Sequence, residues 1–179
     1  MPTISHSNLI ACICEGSTEK TIIEILLEQK QLIFSEDKLL DGKIFVGSYR
    51  KASVFCDRYL TMDYGDTKIS IILVQDQKQS YYIKSPYSNK IEETYLAITS
   101  PEIEMLMIHS IGLYSEYTKQ KKKPSIFLAE KLKTKASIIK SKEYIRKFYK
   151  QHDLVNAIKE YKKKAKAKRG TYQLADFLK

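Results

Sequence analysis

The sequence predicts an α/β fold, a small parallel sheet with helices on both faces and a basic helical C-terminal extension. Short apolar runs point to strands buried on both sides, and segments of helical periodicity alternate with them. Charge is divided along the chain. Residues 119–179 hold 20 basic and 5 acidic side chains, a net +15, so residues 1–118 carry −5 of the total +10.

The run Asn8-Leu9-Ile10-Ala11-Cys12-Ile13-Cys14 is apolar after its first residue and reads as a strand, ended by Glu15-Gly16. Ser17 and Thr18 suit the cap of a helix, Glu19 sits in its first turn where the helix dipole favours an anion, and Ile22, Ile23, Leu26 and Leu27 repeat at helical spacing. Residues 43–46 read as a second strand, and 52–62 as a second helix with Val54, Phe55, Tyr59 and Met62 as its apolar stripe. Residues 69–74 give the strongest strand signal, ended by Gln75-Asp76-Gln77-Lys78. Such alternation implies right-handed crossovers and ligands at the carboxyl ends of the strands.

Residues 79–93 lose the pattern, and Pro86 with Ser88-Asn89 suits a loop. Residues 95–99 read as a further strand. Ser100-Pro101 then has the layout of a helix start, with Glu102 and Glu104 in the first turns and Ile103, Leu106, Met107 and Ile111 toward the sheet. Lys121-Lys122-Lys123-Pro124 marks a boundary, dividing a sheet domain at 1–118 from a helical extension at 119–179 packed on it. Helices are expected at 127–139, 142–151 and 154–168, the last capped by Asp153 and terminated by Gly170.

With 179 residues, 43% hydrophobic and 29% charged, the chain suits one well-buried core and is unlike a disordered one. Cys12 and Cys14 share one strand face, and no Cys/His pair follows at zinc-ligand spacing, so the cysteines, Cys56 included, read as small buried hydrophobes in a reducing compartment. Neither a bilayer-length apolar run nor a signal-peptide layout is present, so no membrane partner and a cytoplasmic location are expected. The basic rear half suits a polyanion, and Lys121, Lys122, Lys123, Lys162, Lys163 and Lys164 are the candidate contacts to nucleic acid.

Three acidic features, Glu15, Asp76 and the pair Glu102/Glu104, fall at or just after predicted carboxyl ends of strands. In a parallel sheet these ends share an edge. Hard oxygen ligands collected there suit Mg²⁺ or Mn²⁺, which polarise a phosphodiester and activate water. His109, one helical turn beyond, and the Tyr81-Tyr82 and Tyr144/Phe148/Tyr149 groups are weaker candidates, the last set being core at its helical spacing. A glycine-rich phosphate loop with its lysine is absent.

The segment Glu15-Gly16-Ser17-Thr18-Glu19-Lys20 between an apolar strand and helix resembles the first motif of Toprim domains, in the form found in small bacterial defence proteins. Residues 71–78 are similar to the strand ending in the Toprim Asp-x-Asp motif, with Asp76 at its first aspartate and Lys78 in place of the second. Residues 100–109 and 154–161 are similar to segments of RloB and related abortive-infection proteins, and Glu104 matches that family's glutamate.

The resemblance implies a Toprim-like core in which Glu15 is a general acid/base or metal ligand and Glu15, Asp76 and Glu104 hold Mg²⁺ or Mn²⁺. Lys78 would act catalytically in place of a second cation, because its ammonium stands where a carboxylate would draw one. The implied activity is a metal-dependent nuclease on RNA or DNA in bacterial antiviral defence. Similarity to nucleases of the OLD family, and the missing phosphate loop, imply a separate ATPase subunit as partner. The alternative is a degenerate, non-catalytic Toprim module that binds nucleic acid or a partner protein.

Overall fold

The computed structural model describes residues 2–5, 8–165 and 169–179. Its centre is a sheet of β1 (Leu9–Cys14), β2 (Ile69–Gln75) and β3 (Ile91–Ile98), in that spatial order and parallel throughout. β2 has a strand on either side and cover on both faces, so all its residues are buried, which is why it reads as an uninterrupted apolar run. The 43–46 segment, expected as a strand, contributes a single bridge. Phe45 lies beside Ile13 and exchanges backbone bonds with Cys12 and Cys14 at 2.8 Å each. A turn at Leu40–Gly42 and a 3₁₀ turn at Gly47–Arg50 cut it short on both sides. Tyr172 bridges to Ala97 in the same way at the opposite edge.

Side-chain alternation sorts the core into two layers. Ile10, Cys12, Cys14, Ile72 and Val74 pack with Ile22, Ile23 and Leu26 of α1 (Ser17–Glu28). On the other face Ala11, Ile13, Ile71 and Leu73 meet Phe45, Phe55, Tyr59 and Leu60. Here α2 (Ala52–Phe55) runs into one π turn, Cys56–Leu60. The wider turn buries Leu60, and the helix expected through 62 ends there, so Met62 lies beyond it and is 51% exposed.

Beyond β3 the chain does not enter a helix at Pro101. It passes through turns closed by Met105 N–H to Glu102 O and Leu106 N–H to Ile103 O, then α3 spans Met105–Ser110 and α4 Tyr114–Tyr117. The helix expected over 127–139 is two, α5 (Pro124–Lys131) and α6 (Ala136–Ile139). Lys133 takes a left-handed φ of 49° and Thr134 N–H closes on Ala129 O at 2.9 Å, a Schellman-type ending that stops α5. α7 (Lys142–Tyr149) and α8 (Leu154–Lys164) follow, with Asp153 capping α8 through Asn156 N–H at 2.9 Å. α8 ends at Lys164, short of the expected 168, with Ala165 already extended. Residues 166–168 lie outside the described residues, and Gly170 belongs to the turn after them.

Phe127, Ile145, Phe148, Leu154, Ile158 and Phe177 all join the layer containing α1, so one continuous core serves residues on both sides of position 118. Among the described residues no helix is long and apolar enough to cross a membrane.

Candidate functional site

The local sequence after β1 divides its labour. Glu19 turns back so that its Oε2 accepts the Gly16 N–H at 3.1 Å, closing the first turn of α1. A Cβ on Gly16 would sit 3.2 Å from that oxygen, closer than ordinary contact, which gives the glycine a steric reason. Gly16 and Glu19 thus start the helix, and Glu15 alone is left to face the sheet edge.

Glu15 extends the β1–β2 ladder by one step, its N–H bonding Val74 O at 2.8 Å, and this register sets it beside the first residue after β2. Its Oε2 accepts the Asp76 backbone N–H at 2.8 Å, and its Oε1 accepts Arg50 Nη2 at 2.9 Å. Partial burial pushes the Glu15 carboxyl up, but the bonds from Asp76 and then Arg50 outweigh it and hold the group below the usual carboxylate range. Asp76 moves the opposite way, raised by burial and by the neighbouring Glu15 against a smaller pull from Arg50. Two adjacent carboxyl groups with separated proton affinities therefore sit at the carboxyl edge. Arg50 Nε is buried without a hydrogen-bond partner among the described residues, an unmet donor of the kind that costs about 1–3 kcal/mol.

Glu104 is set apart from this pair. It is the N-cap residue of α3, 3% exposed, and its Oε1 lies 3.6 Å from Lys140 Nζ. Burial raises its carboxyl, with Lys140 acting against the rise. Glu19 is raised by burial and further by the charges of Glu104 and Glu15. The acids thus influence one another in succession, Glu15 acting on Asp76 and both Glu15 and Glu104 acting on Glu19, and among the described residues no three His, Cys, Asp or Glu side chains are grouped to hold one ion. The expected three-carboxylate cluster is a two-carboxylate pair. The turns at residues 102–105 bring Glu104 against Lys140, and Glu102 Oε2 accepts the Ser125 N–H at 3.2 Å near the start of α5.

Lys78 points to the turn before Tyr172, its Nζ 3.4 Å from Arg169 O. Of the lysines expected to meet nucleic acid, Lys121, Lys122 and Lys123 are exposed ahead of α5, and Lys162, Lys163 and Lys164 are exposed at the end of α8. Both helices pack on α3. Lys122 pairs with Glu130 at 2.6 Å, Lys162 with Asp176 at 2.5 Å and Lys163 with Glu160 at 2.5 Å, while Lys164 lies over the Tyr114 ring at 6.0 Å. Exposed pairs of this kind are weak and exchange readily for other anions. Further along the basic segment, Lys142 and Arg146 bind Glu24 at 2.7 and 2.9 Å, so part of the charge asymmetry is neutralised by α1.

His109 does not reach the acids; it stacks on Tyr114 at 4.6 Å, and its Nε2 is buried without a partner among the described residues. Phe148 and Tyr149 are core, Tyr81 donates to Tyr49 O at 2.9 Å, and Tyr82 is exposed. Sequence reasoning missed Arg50, Glu19 as a buried acid, and Lys140. Arg50 carried a usable signal: it follows the predicted 43–46 strand as Glu15 and Asp76 follow theirs.

Comparison with protein-family models, with curated proteins and with solved structures finds no match for this chain.

Proposed function

We propose that the chain is a metal-dependent nuclease acting on RNA or DNA phosphodiesters, a cytoplasmic effector of bacterial antiviral defence that works with a separate ATPase subunit. The observation that carries this is the Glu15–Asp76 pair, two carboxyl groups from adjacent parallel strands meeting at the carboxyl edge beside Arg50. The parallel sheet covered by helices on both faces supports a Toprim-like core, and Glu15 and Asp76 are the positions that resemble the Toprim motifs.

Two carboxylates suit Mg²⁺ or Mn²⁺, which commonly take one or two protein carboxylates and complete their shell with water and phosphate oxygens. When bound by Glu15 and Asp76, such a cation would polarise a phosphodiester and activate water. Arg50 offers a planar guanidinium to the phosphate, and Lys78 places an ammonium past the same strand end. The exposed lysines before α5 and at the end of α8 attract the rest of the backbone.

Two observations favour a second reading, a degenerate module that binds nucleic acid or a partner protein without cleaving. Glu104 is committed to Lys140, and Lys78 is engaged by Arg169 O. Purified protein assayed with Mg²⁺ or Mn²⁺ on single-stranded RNA, tRNA and DNA, with and without an ATPase encoded beside it, separates the two. Cation-dependent cleavage supports the nuclease; binding without cleavage supports the module.

A further inference from the structure

We infer that Arg50 is the phosphate-receiving residue of the carboxyl edge, holding Glu15 as an exchangeable counter-cation until a phosphodiester draws it away. This rests on the function proposed above and names the residue through which substrate backbone enters that site. Both Glu15 oxygens are in use, Oε2 on the Asp76 N–H at 2.8 Å and Oε1 on Arg50 Nη2 at 2.9 Å. The first bond follows from the register of β1 on β2 and is built into the sheet. The second comes from a side chain that is 33% exposed and stands on the 3₁₀ turn Gly47–Arg50, so it is the one a ligand can replace.

Chemistry favours that replacement. A guanidinium is weakly hydrated, always charged, and matches two phosphate oxygens with its planar fork. The present arrangement also buries Arg50 Nε without a partner among the described residues, and swinging the group outward relieves that unmet donor. Departure of Arg50 leaves Glu15 Oε1 open beside Asp76, two carboxyl groups without their neighbouring guanidinium. A divalent cation restores the missing positive charge, so phosphate arrival and cation binding are coupled and each strengthens the other.

Mn²⁺ binding to the full chain, followed by the electron paramagnetic resonance of the free aquo ion, tests this without a cleavage readout. Wild type, Arg50→Lys and Arg50→Ala are compared with and without a ribodinucleotide, whose single phosphodiester is the probe. Without it, Arg50→Ala is expected to bind Mn²⁺ about fivefold more tightly than wild type, the scale of one lost exposed ion pair, with Arg50→Lys nearer wild type. The dinucleotide is expected to tighten Mn²⁺ binding in wild type and to do so less in Arg50→Ala. Equal or weaker Mn²⁺ binding by Arg50→Ala, an equal dinucleotide effect in both proteins, or no Mn²⁺ binding by either overturns the inference. An Arg50-dependent response in a wild type that cleaves nothing upholds the exchange and removes the nuclease.

Discussion

Glu15 accepts the backbone N–H of Asp76 at 2.8 Å, and through that bond the ends of two neighbouring parallel strands are tied together at the point where their carboxyl groups meet. The bond fixes one carboxylate while its charge raises the proton affinity of the other. Replacing Glu15 by Gln removes the charge and keeps the shape. The Asp76 carboxyl, followed by carbon-13 NMR against pH, is then expected to titrate at lower pH than in wild type. An unchanged Asp76 titration would mean that burial alone sets its affinity.

Glu104 tests the other end of that succession. Its folded pKa is raised by burial, with Lys140 opposing, so its contribution to stability is full below the unfolded pKa and is lost as pH rises through the folded value. Glu19 has the same sign. Glu104→Gln stays neutral throughout, so in urea unfolding it should gain on wild type as pH rises above the ordinary carboxyl value of 4.5. A difference between the two proteins that stays constant with pH would show that Lys140 compensates Glu104 fully.

The π turn after α2 makes a register-dependent prediction. Phe55 is fully buried between Phe45 and Tyr59, at ring distances of 5.9 and 5.6 Å, and Phe55→Ala should cost about 3–5 kcal/mol of unfolding free energy. Met62→Ala, on an exposed side chain, should change stability by about 0.5 kcal/mol or less. An uninterrupted α-helix would instead make Met62 costly and Leu60 cheap.

Basic side chains differ in what they are free to hold. Converting Lys121, Lys122 and Lys123 together to Ala should weaken nucleic-acid binding and flatten its dependence on log salt by about 1–3 units of slope. Arg146→Ala should leave the slope nearly unchanged, because its guanidinium is 30% exposed and is shared between Glu24 at 2.9 Å and Glu28 at 2.8 Å. Fluorescence anisotropy titrations at several salt concentrations measure both, and an unchanged slope in the triple variant would place the contact surface elsewhere.

What was legible in the sequence was whatever rests on local pattern. The apolar runs of β1 and β2, the start of α1 and the Asp153 cap follow from short-range rules about strands and caps, and the meeting of Glu15 with Asp76 follows from the shared carboxyl edge that two parallel strands imply. The misplaced features depend on one residue's backbone or on distant partners. Lys133 breaks a periodic helix by adopting a left-handed conformation that its side chain gives no reason to expect. The π turn ends the helix at Leu60 and leaves Met62 beyond it, in a stripe that still looks helical on paper. Glu104 was expected beside Glu15, but its partner is Lys140, 36 positions away and reachable only once α5 and α6 have folded over α3.

The most direct measurement is cleavage of RNA and DNA by wild type and Asp76→Asn in Mg²⁺ or Mn²⁺, with binding affinity taken from the same preparations. Asn keeps the backbone N–H that Glu15 accepts and loses the second carboxylate, while attraction to the backbone draws on exposed lysines that need no ion. Cation-dependent cleavage by wild type, abolished in Asp76→Asn with affinity unchanged or slightly raised, is the predicted result. Cleavage that survives in Asp76→Asn, or a wild type that binds nucleic acid and cleaves none of it with either cation, would contradict it.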